Sequence, residues 1–132
     1  MRPANVVRSR VVTRLSPTAV GAGVSVGFIV TLISAGILAL ILALTPVTEK
    51  ALAAVVSVMG ALSVFAGGFA AARRSGGRGW LHGGVTGCAY AAACFLVGLI
   101  FFPGLMPPAT LPRRLILGFG IGLIGGITAL NF

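Results

Sequence analysis

Four long apolar runs, separated by short polar or proline-containing breaks, set the pattern of this chain. Thr18 to Leu44 holds no charged residue, and its polar positions after Thr18 are only Ser25, Thr31 and Ser34. At 1.5 Å per residue such a run exceeds the ~30 Å of bilayer hydrocarbon, so it spans with some tilt. Those three hydroxyls can return hydrogen bonds to their own helix. Ser16-Pro17 reads as N-cap and first helical residue, because proline's missing N–H is one that the first turn leaves unused anyway. Thr45-Pro46 repeats that signal, which predicts a second helix over about 46–74, stopped by Ser75-Gly76-Gly77. Arg73 and Arg74 fall in its last turn, where the helix dipole favours cations. A third helix is expected over about 80–102, ended by Pro103-Gly104. After the proline-rich connection from Pro103 to Pro112, a fourth is expected over about 112–132. Its uncharged part, Leu115 to Phe132, is about eighteen residues, just enough to cross. The expectation is a single domain over 1–132, an all-α integral membrane four-helix bundle with a loop at about 75–79.

Composition sharpens this reading. Hydrophobic residues make up 58% of the chain and charged residues 8%, with a mean hydropathy of +1.11. Soluble domains carry roughly a quarter charged residues, so there is too little polar surface here to cover a water-soluble globule. The net charge is +9, from ten basic residues against the single acid Glu49. In a soluble protein that balance would suggest nucleic acid. Here the cations stand at the ends of apolar runs, where they set orientation and meet anionic headgroups. The partners expected are therefore the bilayer with its anionic headgroups and a second copy or another membrane protein, with no nucleic acid.

With the N-terminus inside, seven arginines lie on the inner side: Arg2, Arg8, Arg10, Arg14, Arg73, Arg74 and Arg78. Lys50, Arg113 and Arg114 make three on the outer side. The positive-inside rule then places both termini in the cytoplasm, N-in and C-in, in the cell membrane. Arg113 and Arg114 fit poorly, since they also stand at the positive end of helix four. The basic opening before Ser16 is read as the flank of an uncleaved first span. The run that follows is longer than a signal peptide's 7–15 residues, and the nearest small-residue cleavage pattern, Ala51-Leu52-Ala53, lies beyond charged Glu49 and Lys50.

Glycine is costly in a helix, so its placement needs a reason. In lipid, small residues let backbones approach closely. Gly118, Gly122 and Gly126 form a GxxxGxxxG ridge of the glycine-zipper type. Gly23 with Gly27, and Gly83 with Gly87, make two further GxxxG pairs, and Gly67-Gly68 supply helix two. These are read as packing faces, with one ridge meeting a second copy as the alternative. The stretch 65–71 also echoes 123–129, a hint of a duplicated helical hairpin.

The chemistry-bearing residues are few. One His, one acid and two Cys leave no carboxylate pair and no metal cluster, so neither an enzyme nor a cofactor is expected. Cys88 and Cys94 lie about 240° apart around a helix, at 100° per residue, and read as small apolar residues. The segment from Ser75 to Gly79 could cradle a phosphate with Arg73, Arg74 and Arg78. The plainer reading is an interfacial turn whose arginines meet lipid phosphates, with Trp80 in the aromatic belt and His82 as an interfacial hydrogen-bonding side chain. These five are the candidate headgroup or partner contacts. Ion-coupled carriers usually keep an ionisable group inside the membrane. No such group lies within the four apolar runs, and the embedded acid of small multidrug carriers is absent. A structural, accessory or interaction component is the favoured reading. A small oligomeric channel or transporter subunit for an uncharged or small solute is the alternative.

The central stretch carries a resemblance. Gly67, Gly68, Ala71, Arg73 and Arg74, followed by Gly79, Trp80, His82, Gly83 and Gly84, read Gly-Gly-x-x-Ala-x-Arg-Arg and then Gly-Trp-x-His-Gly-Gly. In this the chain resembles a family of small four-span bacterial membrane proteins, mainly from Gram-positive lineages, catalogued as a domain of unknown function. The resemblance implies the topology and a bacterial cell membrane, and it brings no activity with it.

Overall fold

The computed structural model describes residues 15–132. The basic opening segment with Arg2, Arg8, Arg10 and Arg14, which carries most of the orientation argument, lies outside the described residues. Four helices follow one another: α1 (Pro17–Leu44), α2 (Glu49–Ser75), α3 (Gly79–Phe101) and, after a 3-10 turn at Pro108–Thr110, α4 (Leu111–Asn131). All four are long and apolar enough to cross a membrane.

The first helix keeps its expected bounds, although the Ser16 side chain makes no capping bond. Its carbonyl instead accepts the N–H groups of Ala19 (3.1 Å) and Val20 (3.3 Å). The second helix corrects the expectation. It begins at Glu49 with Thr48 as N-cap, and Thr45 closes α1 by donating its N–H to the Ile41 carbonyl at 2.9 Å. The cause is local, since a residue before proline is pushed out of the helical region, and Thr45 is extended at φ −140°, ψ 131°. The expected third and fourth helices are likewise shifted by one residue, to 79–101 and 111–131. At the other end of α2, Gly76 turns the chain with φ 65°, and Arg78 follows in the left-handed region at φ 42°. That conformation costs a side-chain-bearing residue roughly 1–2 kcal/mol.

α2 and α3 pack against each other and also against both other helices, while among the described residues α1 and α4 do not touch. Round the bundle the order is therefore α1, α2, α4, α3, with α2 and α3 across the short diagonal. The close backbone approaches run from the end that carries Ser16, the 76–78 turn and the C-terminus as far as Gly87 and Gly118 near the middle of the bundle. A side-chain carbon on Gly67 would stand 2.7 Å from the Gly23 carbonyl oxygen, and one on Gly68 would stand 2.6 Å from that of Gly122. Gly83 and Gly87 lie against Gly122 and Gly118, and Gly79 lies against Gly126. No residue but glycine fits at such separations. The aligned glycines of the two echoing stretches do not share one job. Gly67 meets α1 and Gly68 meets α4, whereas their counterparts Gly125 and Gly126 meet α2 and α3, so the roles are crossed.

Towards the opposite end the helices part. Leu32, Ile33, Leu40 and Leu44 of α1 are exposed, as are Val55, Val56 and Val58 of α2 and Ile100 and Phe101 of α3. In a bilayer these side chains meet acyl tails, which solvate them as well as another helix would. Hydroxyls within the spans largely serve their own helices. Ser25, Thr31, Ser57, Ser63 and Thr128 each donate to the carbonyl four residues back, at 2.7–3.0 Å.

Candidate functional site

Four of the five candidate contact residues are exposed at the turn between α2 and α3. Arg73, Arg74, Arg78 and Trp80 are exposed, with Trp80 at 44%. The Arg73 guanidinium lies over the Phe69 ring, 5.4 Å from its centroid, which holds its stem along α2. Gly79 sits against Gly126 and Ala72, so the residues on either side of it stand on a clamped backbone. Ser75 tightens the turn further, since its hydroxyl lies 2.8 Å from the Ala72 carbonyl and 2.9 Å from that of Gly77, donating to one at a time.

His82 is set apart from the other four by its burial, at 6% exposure. Its Nε2 accepts the Ser16 N–H at 3.2 Å, and its Nδ1 lies 3.3 Å from the Arg78 carbonyl. A backbone N–H only donates and a carbonyl only accepts. The two bonds together therefore require the neutral tautomer with its proton on Nδ1. The imidazole thus ties the start of α1 to the start of α3. It lies beneath the exposed arginines, inside the joint that carries them.

Among the described residues the interior holds two more side-chain links between helices, from Tyr90 and from Cys88. The Thr31 hydroxyl donates to the Gly27 carbonyl, so the Tyr90 hydroxyl is the donor in the bond between Tyr90 and Thr31. Tyr90 also packs tilted on Phe28, with ring centroids 5.4 Å apart. Thr86 is buried beside Gly23, and its hydroxyl has no hydrogen-bond partner among the described residues. Cys88 and Cys94 are free thiols, and Cys88 points to the Leu115 carbonyl at 3.6 Å. Among the described residues no three His, Cys, Asp or Glu side chains come together to hold a metal ion.

A second feature was not foreseen from the sequence. A cleft of about 590 Å³ opens between α2, α3 and α4 in the half where the helices part. Its walls include Val56, Val64, Ala91, Leu117 and Ile121, with Tyr90 and Cys94 among them, and Thr110, Arg113 and Arg114 also line it. The signal available beforehand was the misfit of Arg113 and Arg114 with the orientation rule. Nothing in the sequence showed that three helices would separate beside them.

No curated protein and no solved structure matches the chain. A family model described as a protein of unknown function, DUF3792, matches residues 16–129. That span begins at the N-cap of α1 and reaches the last turns of α4, taking in both the exposed turn and the cleft. The chain belongs to this family, a domain of unknown function whose member here is built from four candidate membrane spans.

Proposed function

We propose that this chain is a non-enzymatic multi-pass protein of the cell membrane, with both termini cytoplasmic. It serves as a structural or accessory component that offers its 73–80 turn to anionic headgroups or to a protein partner. The observation that carries this reading is the pairing of exposed cations with a clamped backbone. Arg73, Arg74, Arg78 and Trp80 stand out from a turn fixed by the contact of Gly79 with Gly126 and by the bonds of His82. Preorganised groups lose less entropy on binding than groups on a loose loop, and Arg78 retains a strained conformation where glycine would be free of strain.

Reporter fusions after Gly76 test the orientation, with a cytoplasmic signal expected and an external one overturning it. Replacing Arg73, Arg74 and Arg78 by Gln is expected to weaken association with vesicles containing phosphatidylglycerol or to lose a co-purifying protein. Retention of both would remove this role. The channel or transporter alternative needs a face that meets a second copy, and a glycine ridge is the face the sequence offered for it. The ridge of Gly118, Gly122 and Gly126 is already occupied by α2 and α3, which weighs against it. A strictly monomeric mass in detergent would exclude an oligomeric pore.

A further inference from the structure

The cleft between α2, α3 and α4 unites three features that need a common explanation. Arg113 and Arg114 stand in the first turn of α4, where the helix dipole already places positive charge. Both are exposed. The chain's single acid, Glu49, cannot balance two guanidiniums, so at least one of them has no carboxylate side chain to pair with. A helix start with two such cations favours an anion.

The space beside these arginines is apolar. Val56, Val64, Leu117 and Ile121 line a cleft of about 590 Å³, within the roughly 300–1,000 Å³ typical of ligand pockets. Left empty, its walls would forfeit dispersion contacts, and walls of this kind give water few partners. Tyr90 also borders the cleft, and its hydroxyl is already engaged with Thr31 of α1. A hydrocarbon chain fills such a space at no desolvation cost. The third feature is the continuity of the two parts, because the arginines and the apolar walls border one cavity. Charge on one part and hydrocarbon on the other is the complement of an anionic amphiphile, and the bilayer itself supplies one.

We propose that this cleft binds one anionic phospholipid, its phosphate held by Arg113 and Arg114 and one acyl chain laid between α2, α3 and α4. The lipid would account for two arginines placed where the helix dipole and the orientation rule both disfavour them. It would also bridge helices that the protein leaves apart. The site is separate from the 73–80 turn and lies at the other end of the bundle.

Native mass spectrometry of the detergent-purified protein, offered equal amounts of dioleoyl phosphatidylglycerol and dioleoyl phosphatidylcholine, tests this. One phosphatidylglycerol per chain should be retained in preference by about tenfold, the scale of one charge-assisted contact. The double variant R113Q/R114Q should lose the preference, and R113K/R114K, with charge kept, should retain most of it. Lys50→Gln removes a cation from the same end of the bundle without touching the cleft and should change nothing. Gly60 borders the cleft, and a side-chain carbon there meets nothing within 4 Å. Gly60→Leu should therefore fold normally, by helicity and thermal midpoint, yet retain less of either lipid. Inorganic phosphate should not compete, since it lacks the acyl chain. Equal retention of the two lipids by the wild type would overturn the proposal. So would an undiminished preference in R113Q/R114Q, displacement by inorganic phosphate, or a lipid-free dimer as the purified species.

Discussion

The two halves of this bundle draw on the same apolar alphabet and pack in opposite ways. At the end of the 76–78 turn, backbones meet at Gly23 with Gly67, Gly68 with Gly122, and Gly83 with Gly122 and Gly126. At the other end, Gly36 and Gly60 face open space, and Leu and Ile side chains point outward. Backbone-to-backbone contact therefore follows the glycine faces, whereas Gly98, alone in the open half, meets only the Met106 side chain. Four-residue spacing on helices that meet brings backbones together, and an isolated glycine among large residues does not. Large apolar side chains gain nothing from leaving lipid for another helix, so they do not close the open half.

Substitutions at matched glycines should break or sharpen this contrast. The largest effect is expected for Gly122→Val, whose side chain would have to displace the Gly83 backbone and the Gly87 Cα at 3.0 Å. Overpacking of this kind costs about 1–3 kcal/mol or more. Thermal unfolding in detergent should show a large drop or loss of the folded species. His82→Ala should rank next. It empties a buried position and breaks the bonds to Ser16 and Arg78, at about 2–3 kcal/mol for the combined losses. Limited proteolysis near residue 16 would then be expected to speed up. Tyr90→Phe removes the bond to Thr31 at the border of the two halves, and such links within membranes are worth about 0.6–1.7 kcal/mol.

Two substitutions should move stability upwards by smaller amounts. Thr86→Val replaces a buried hydroxyl that has no partner among the described residues and should raise the unfolding midpoint by the equivalent of about 1 kcal/mol. Gly60→Ala adds a carbon that meets nothing within 4 Å. It should be neutral or stabilising by up to about 1 kcal/mol, from helix propensity alone. If Gly60→Ala destabilised as much as the change at Gly122, the division into a packed and an open half would fail.

How much of this was legible beforehand depends on the range over which each property acts. The four spans follow from length and hydropathy, which are summed over some twenty neighbouring residues, and they hold to within one residue except at the start of α2. There, three residues were assigned wrongly because Thr45-Pro46 could be read as cap and first turn. The proline's effect on Thr45 decided the matter instead. The exposed turn was equally plain, since glycines and arginines declare a helix end locally.

His82 shows where that legibility stops. From sequence it was one of five interfacial residues. In the fold it is buried, because the start of α1, 66 residues away along the chain, comes close enough to donate its N–H. The small-residue faces were likewise visible as spacing, but which helix each one meets was not. The sequence by itself determined the class, the spans and the charged ends, because those depend on residues close together in the chain. Only the tertiary structure decided that α1 and α4 stand apart, that Gly68 meets Gly122, and that a cleft opens beside Arg113 and Arg114. Those outcomes depend on how four helix surfaces, each featureless to its own neighbours in sequence, fit one another in space.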